Sequence, residues 1–305
     1  MASLSALRAL NIPLAPKYTS VGVFVGGTSG IGQAMVESFA RMTDGKATIV
    51  IVGRNKTAAE SIISTLPKAA DSKYEFVYCD ATLMRNVVAA SQDILSRHPK
   101  INFLVMSPGF FSIKGFNPTD EGIDRKLAVN YYARWKFINQ FLPALKKAKD
   151  DGEDAKVFSV YGAGRGGAID VNDLGLKKTY SLINSSRSGP TYNDLMMEEY
   201  SRQNLELTFT HGFPGAVLTN FGASAGSTVL RFLAPLRNVA LKPFASAPAE
   251  CAEYMWQGIF NHTTGAFRTG SKGQNIGKER YFGTDDQRQL LWEHTATETN
   301  IPIPA

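Results

Sequence analysis

Three closely spaced glycines form the segment of this sequence that is best suited to bind a ligand. Gly26, Gly30 and Gly32 follow the apolar run 21–25 and precede a stretch with helical spacing. In a strand–turn–helix unit, free backbone N–H groups and the positive helix end point at one place, where the pyrophosphate of a dinucleotide binds. Glycine leaves room for the phosphate and for close packing of the helix on the strand. We therefore predict that a dinucleotide contacts Gly26, Thr28, Ser29, Gly30, Ile31 and Gly32.

The residues after the second predicted strand indicate which dinucleotide this is. An acidic residue about 20 positions beyond the glycine turn would accept hydrogen bonds from the ribose of NAD. Here the sequence is Arg54-Asn55-Lys56, without a carboxylate. Arg54 offers a planar guanidinium that suits a phosphate, and Lys56 adds a second positive charge, so this segment predicts NADP(H). The alternative is a pair of solvated cations at a helix start. Asp80, after the third strand, either accepts from the adenine amino group or caps the next helix.

Apolar runs typical of strands alternate along the chain with amphipathic stretches typical of helices. Strands are predicted at 21–26, 48–52, 74–78, 101–106, 156–160 and 207–210, and helices at 30–42, 55–66, 84–97, 120–147 and 191–203. Near-continuous apolar strands alternating with helices indicate a parallel sheet that is covered on both sides. We predict an α/β fold with a doubly wound parallel sheet in three layers. It forms a single domain over residues 1–305, with an insertion at 221–245.

Composition excludes several classes of function. The 305 residues have a formal net charge of +6 without a run of five or more like charges, which predicts a solvated basic surface and no nucleic-acid partner. The two cysteines and four histidines lack metal-ligand spacing, and no apolar stretch reaches about 18 residues, so we predict no metal and no integral membrane segment. Cys79 and Cys251 stand in apolar settings, and the N-terminus lacks a secretory signal, which predicts a cytoplasmic protein.

Three further segments match the pattern of one protein family. Asn130 lies in the predicted long helix, Gly109 closes the sequence Met-Ser-Pro-Gly after the fourth strand, and 214–219 is Pro-Gly-Ala-Val-Leu-Thr. With the spacing of its glycines, the chain resembles the short-chain dehydrogenase/reductase family from about residue 21 to 261. The resemblance implies a Rossmann fold of that family's type, and it implies that Asn130 holds a water in a proton relay. It also implies that the nicotinamide end of the cofactor lies near Pro108, Gly109, Pro214, Gly215, Val217 and Thr219.

The catalytic set of that family is incomplete in this sequence. In the family, a tyrosine is the general acid/base, a lysine four residues later lowers its pKa, and a serine polarises the substrate oxygen. Gly162 stands at the serine position, and no later tyrosine has a lysine four residues on. We take Tyr180 as the first choice for the proton donor, with Asn184 in the place of the lysine. Tyr161 is the second choice and Tyr192 the third. Since a phenol is a poor base near neutral pH, reduction is favoured over alcohol oxidation.

The sequence supports one leading function and two alternatives. We expect an NADP(H)-dependent oxidoreductase that reduces a carbonyl of an apolar, medium-sized molecule, of the kind found in secondary metabolism. The alternatives are a non-redox enzyme of this fold, such as a cyclase or isomerase, and a cofactor-binding protein without turnover. Segment 221–245 is interpreted as a lid over the substrate, as the seam of a homodimer or as a contact with a membrane surface, and Phe110, Phe111 and Trp256 as apolar lining. His211 is interpreted as structural, and as a backup acid.

Overall fold

A sheet of seven parallel strands forms the centre of the computed structural model, which describes residues 3–219 and 245–301. The strand order is β3-β2-β1-β4-β5-β6-β7. The strands are β1 (Ser20–Val25), β2 (Ala47–Gly53), β3 (Lys73–Tyr78), β4 (Phe103–Met106), β5 (Lys156–Val160), β6 (Thr208–Gly212) and β7 (Gly265–Thr269). The described helices are α1 (Leu4–Asn11), α2 (Gly30–Met42), α3 (Lys56–Thr65), α4 (Met84–Arg97), α5 (Arg125–Leu127), α6 (Ala133–Asp150), α7 (Leu182–Gln203), α8 (Pro248–Phe260) and α9 (Asp285–Glu298). A 3-10 turn at Ile12–Leu14 and a π-helical turn at Ala128–Tyr132 complete them.

Helices cover both faces of the sheet and bury two separate apolar cores. One core packs side chains of α4, α6, α7 and α9 on the sheet, among them Val87, Ile138, Leu195 and Leu291. The other packs side chains of α2, α3 and α8, among them Phe39, Ile62 and Trp256. Because the central strands are buried from both sides, their sequences are almost continuously apolar. The prediction of a doubly wound, three-layer α/β fold is confirmed.

Helix α7 differs most from its predicted bounds. The sequence predicts a helix over 191–203, because a proline usually starts or breaks a helix. Instead α7 begins at Leu182 and continues through Pro190, and the side chain of Ser181 caps it by accepting a hydrogen bond from the Asn184 N–H (3.0 Å). Pro190 has no N–H to offer the carbonyl of Ser186. Ser186 is exposed, where a carbonyl without a helical partner costs less than in a core.

Other elements were missed, or their ends differ. Strand β4 begins at Phe103 rather than at 101, and the long helix predicted at 120–147 is divided between α5, the π-helical turn and α6. Strand β7 and helices α1, α8 and α9 have no counterpart among the predicted elements. The insertion predicted at 221–245 lies outside the described residues, apart from Ala245.

The carboxyl ends of the strands bring the predicted binding segments to one edge of the sheet. Strands β1 and β4 are neighbours, and from them the chain order runs outward in opposite directions. Such a reversal opens a crevice at the carboxyl ends, where open α/β sheets bind ligands. The glycine turn follows β1 and residues 107–109 follow β4, so both lie at this crevice.

Candidate active site

The glycine turn is held in close contact with the loop that follows β4. Gly26 has a φ of +83°, and a Cβ there would lie 2.6 Å from the backbone nitrogen of Pro108. A Cβ on Gly32 would lie 2.3 Å from both the carbonyl oxygen of Gly26 and Oγ of Ser107. Ser29, at the N-cap of α2, makes no side-chain capping bond in the described structure. The first N–H groups of α2 are therefore left for an anion, and the turn fits a dinucleotide.

A cavity of about 470 Å³ opens at this turn; we call it the glycine-turn cavity. Most of the predicted dinucleotide contacts line it, namely Gly26, Thr28, Ser29, Gly30, Ile31, Arg54, Asp80, Pro108, Gly109 and Thr219. Arg54 is exposed and makes no ion pair within the described part of the chain. Asp80 accepts a hydrogen bond from the Thr82 N–H (3.0 Å).

Three predicted contacts line neither this cavity nor the second cavity described below. Gly32 acts through packing, as its short distances to the turn indicate. Asn55 caps α3 by accepting a hydrogen bond from the Ala58 N–H (3.0 Å). The side chain of Lys56 is 72% exposed, with its Nζ 3.7 Å from Glu60. Of the two cations at 54 and 56, the lining therefore includes only Arg54.

A second cavity of about 570 Å³ shares a wall with the first; we call it the Tyr161 cavity. The shared residues are Ile31, Ser107, Pro108, Gly109, Phe110 and Thr219. The Tyr161 cavity also contains predicted site residues, namely Asn130, Tyr161, Pro214, Gly215 and Val217, and the predicted apolar lining Phe110 and Phe111. Trp256 does not line it, because the indole stacks on Phe39 (centroids 5.0 Å apart) in the core on the other side of the sheet.

The three candidate tyrosines lie in different surroundings. Tyr180 precedes α7 and lines neither cavity; its ring packs edge-on against Phe116 (5.9 Å), and Nζ of Lys126 lies 4.8 Å from the ring centroid. Tyr192 is fully buried, and its hydroxyl donates to the carbonyl of Leu174 (2.9 Å). Among these three, Tyr161 is the one that the structure brings to the cavity.

Tyr161 follows β5 and lies against a buried cation. The Cζ atom of Arg134 is 5.2 Å from its ring centroid, and its hydroxyl lies close to Gly189 of α7, where a Cβ would be 2.8 Å away. Burial raises the pKa of Tyr161, while Arg134 and a hydrogen bond with the Asn130 side chain act in the lowering direction. The phenol is therefore protonated at neutral pH and suited to give a proton rather than to accept one.

Arg134 was missed in the sequence and borders the Tyr161 cavity. It is 1% exposed, and Nη1 donates to Oγ of Ser159 (2.6 Å) and to the carbonyls of Met106 (3.1 Å) and Val160 (3.0 Å). Nη2 donates to the carbonyl of Pro108 (2.5 Å). Burial lowers the pKa of Arg134 to about 10, so it remains charged at neutral pH. The sequence does contain one indication that Arg134 lies near the site: it follows Asn130 by four residues, which places both on the same helix face.

Asn130 lies in the π-helical turn, an irregularity that often occurs at functional sites. Its Oδ1 accepts from the Phe110 N–H (3.1 Å), and its Nδ2 donates to the Phe110 carbonyl (3.2 Å). Its own carbonyl accepts from Nδ2 of Asn193 (2.9 Å). These contacts fix the loop after β4 against the helix. The water-holding role implied by the family resemblance stays a prediction.

His211 binds the backbone of Gly162, the residue that follows Tyr161. Its Nε2 accepts a hydrogen bond from the Gly162 N–H (2.9 Å), so Nδ1 bears the proton and donates to Oδ1 of Asp194 (2.5 Å). Oδ2 of Asp194 is 3.0 Å from Nε of Arg268. With both ring nitrogens bonded and the ring fully buried, His211 has a structural part in this arrangement.

Two comparisons identify the family. A family model described as short chain dehydrogenase matches residues 20–169. The oxidoreductase AN1596 of Emericella nidulans is 38% identical over 255 residues, which are 83% of this chain and 75% of that protein. This chain belongs to the short-chain dehydrogenase family. The oxidoreductase andH of Emericella variicolor is 31% identical over 256 residues, 83% of this chain and 74% of that one.

Solved structures agree on the fold of this short-chain dehydrogenase. The alcohol dehydrogenase of Thermococcus sibiricus, complexed with 5-hydroxy-NADP, aligns with a TM-score of 0.61 and 19% identity. The alignment covers 85% of this chain and 99% of that one. This likeness concerns the fold; the family resemblance given by the glycine spacing is confirmed by the family model and by the relative of 38% identity.

Helix α7 of this short-chain dehydrogenase presents neither a tyrosine nor a lysine to the described lining of the Tyr161 cavity. Its lining residues are Leu182, Ser185, Ser186 and Pro190. A Cβ at Gly162, the position of the missing serine, would lie 3.0 Å from Cγ of Pro190.

Among the described residues, no helix is long and apolar enough to span a membrane. No cluster of His, Cys, Asp and Glu suited to a metal ion occurs there either.

The histidines make the stability of this short-chain dehydrogenase depend on pH. Burial lowers the pKa of all four, His98, His211, His262 and His294. Below a pH of about 6.5 the unfolded chain therefore binds more protons than the folded one. We expect the free energy of unfolding in urea to fall as the pH drops from about 7 to about 5, by up to about 1.4 kcal/mol per pH unit for each proton taken up. Between about pH 7 and 8 it should stay level; a level profile over the acidic range as well would contradict this account.

Proposed function

We propose that this short-chain dehydrogenase is an NADP(H)-dependent oxidoreductase that reduces the carbonyl of a medium-sized molecule with an apolar body. The observation that best supports this is the shared wall of the two cavities. A dinucleotide at the glycine turn would extend along Ser107, Pro108 and Gly109 toward Tyr161. When bound, NADPH supplies the hydride for such a reduction. The residues of the Tyr161 cavity would orient the carbonyl and supply the proton.

Tyr161 is the proton donor in this proposal. Its phenol borders the cavity, and burial keeps it neutral, which suits an acid. Arg134 lies over its ring and stabilises the phenolate left after proton transfer, so that it takes over part of the role of the lysine absent from α7. The arrangement favours reduction, because oxidation of an alcohol would need a phenolate before the reaction begins.

The direct test combines the purified chain with NADPH and a panel of aldehydes and ketones, and follows NADPH oxidation at 340 nm (an absorbance specific to the reduced nicotinamide). Oxidation that depends on the carbonyl compound supports a reductase. If NADPH binds but no carbonyl promotes its oxidation, the proposal is overturned. A non-redox enzyme then becomes the better account, and the lack of any titratable side chain on the α7 part of the lining favours that alternative.

The choice between NADP(H) and NAD(H) is proposed to depend on Arg54. Replacing it by glutamine removes a charge-assisted contact with the 2′-phosphate, so we expect the Kd for NADPH to rise about 10- to 100-fold while that for NADH changes little. K56Q is the matched control, because Lys56 is a neighbouring exposed cation outside the cavity lining. Titration of cofactor fluorescence measures both constants. Equal binding of NADH and NADPH by the unaltered chain would refute this assignment.

A further inference from the structure

The charged residues of the Tyr161 cavity all have the same sign. Its described lining includes Lys126, Arg134 and Arg165, and no aspartate or glutamate. The first turn of α7 adds Leu182 and Ser185, which brings the positive end of a 22-residue helix to the same cavity. We propose that the substrate bears an anionic group, such as a carboxylate, beside its apolar body. This inference rests on the proposed function, in that the Tyr161 cavity is where the substrate binds.

Lys126 and Arg134, the two buried cations of this lining, have no carboxylate partner within the described ranges 3–219 and 245–301. Lys126 is 6% exposed, and its Nζ donates to the carbonyls of Ser112 (3.1 Å) and Lys114 (2.6 Å). Arg134 donates only to carbonyls and a hydroxyl, and its Nε–H has no acceptor among the described residues. Buried charges are usually paired, because an unpaired charge is costly to desolvate. An anion in the cavity would offset part of that cost.

Arg165 is the cation best placed to contact such an anion directly. It is exposed, and its guanidinium lies over the ring of Phe213, 4.4 Å from the centroid. Both residues line the Tyr161 cavity. Stacking on one face holds the guanidinium in place and leaves its N–H groups in the plane to donate, which suits a carboxylate.

Acidic residues are also absent from the stretch of sequence that follows the lining residue Thr219. Residues 220–244, which follow the lining residue Thr219, include three basic residues and no aspartate or glutamate. By contrast, much of the described lining is apolar, with Ile31, Phe110, Phe111 and Val160 among its members. A substrate that matches both features has an apolar body with one negative end.

A pair of fluorescent probes separates the charge from the apolar contact. 1-Anilinonaphthalene-8-sulfonate is anionic, and N-phenyl-1-naphthylamine is the same molecule without the sulfonate. We expect R165Q to raise the Kd of the anionic probe about 5- to 10-fold and to leave that of the neutral probe within about twofold. R187Q is the matched control, since Arg187 is an exposed arginine of α7 outside the cavity lining, and it should change neither constant.

The inference is overturned if R165Q leaves binding of the anionic probe unchanged, weakens both probes equally, or acts no differently from R187Q. Because neither probe is turned over, the comparison does not depend on catalysis. A chain that fails to reduce any carbonyl but shows the R165Q effect would overturn the proposed function alone. A chain that reduces carbonyls but binds both probes without regard to Arg165 would overturn the anionic substrate alone.

Discussion

Replacement of Tyr161 by phenylalanine is expected to lower kcat for NADPH-dependent carbonyl reduction about 100-fold or more. The change removes the hydroxyl that would protonate the product oxygen and leaves the ring in place beside Arg134 at the cavity. Because both the ring and its stacking on His211 (centroids 6.4 Å apart) are kept, the Kd for NADPH and the midpoint of urea unfolding should change little.

Tyr180 provides the matched control for this substitution. It was the first choice from the sequence, but its ring packs against Phe116 outside both described linings. We expect Y180F to keep kcat within about twofold of the unaltered enzyme, because its hydroxyl does not contact the reaction site in this account. A large loss in Y180F together with normal turnover in Y161F would return the proton donor to Tyr180.

Replacement of Gly32 by alanine is expected to produce the largest effect on cofactor binding. The added Cβ would lie 2.3 Å from the Gly26 carbonyl oxygen and from Oγ of Ser107, so helix α2 must move away from the turn. Overpacking of this kind costs about 1–3 kcal/mol of folding free energy. Displacing the first N–H groups of α2 also weakens two or more charge-assisted hydrogen bonds to the pyrophosphate, which corresponds to about a 100-fold rise in the Kd for NADPH.

Gly115 is the control for a glycine-to-alanine change in this chain. It is exposed, and a Cβ there would meet no atom within 4 Å. G115A should therefore bind NADPH as the unaltered chain does, with equal or slightly higher stability because the unfolded state loses entropy. If G32A binds NADPH normally, the glycine turn is not the pyrophosphate site.

The strand, glycine turn and helix that form the glycine-turn cavity could be predicted from the sequence because they follow one another along the chain. The positive φ of Gly26 and the close packing of Gly32 both need glycine, and the positions follow directly from the strand and helix that flank them. Arg54 follows in the same way from the end of β2. The contacts of Gly26 and Gly32 with the loop after β4 involve a distant segment, and they add to this local pattern.

The chemical end depends on contacts between distant segments, which the sequence pattern does not encode. Because Pro190 suggests a helix start at about 191, the sequence does not show that α7 begins at Leu182. It therefore does not show that Tyr180 precedes the cap at Ser181 and lies outside the described lining of the cavity. In the sequence, Arg134 is typical of a solvated cation on a helix. In the structure it is buried against the sheet and donates to the carbonyl of Pro108. The sequence pattern does not predict strand β7, because three of its five residues are only half-buried.

Transfer of deuterium from NADPH tests the central claim most directly. The purified chain would be incubated with each carbonyl of the panel and with NADPH that carries deuterium at both C4 positions of the nicotinamide. The products would be analysed by mass spectrometry. We predict deuterium on the former carbonyl carbon of at least one product, with the yield greatly reduced in Y161F and unchanged in Y180F. Binding of NADPH without transfer of deuterium to any carbonyl carbon would contradict the proposal of an NADPH-dependent carbonyl reductase.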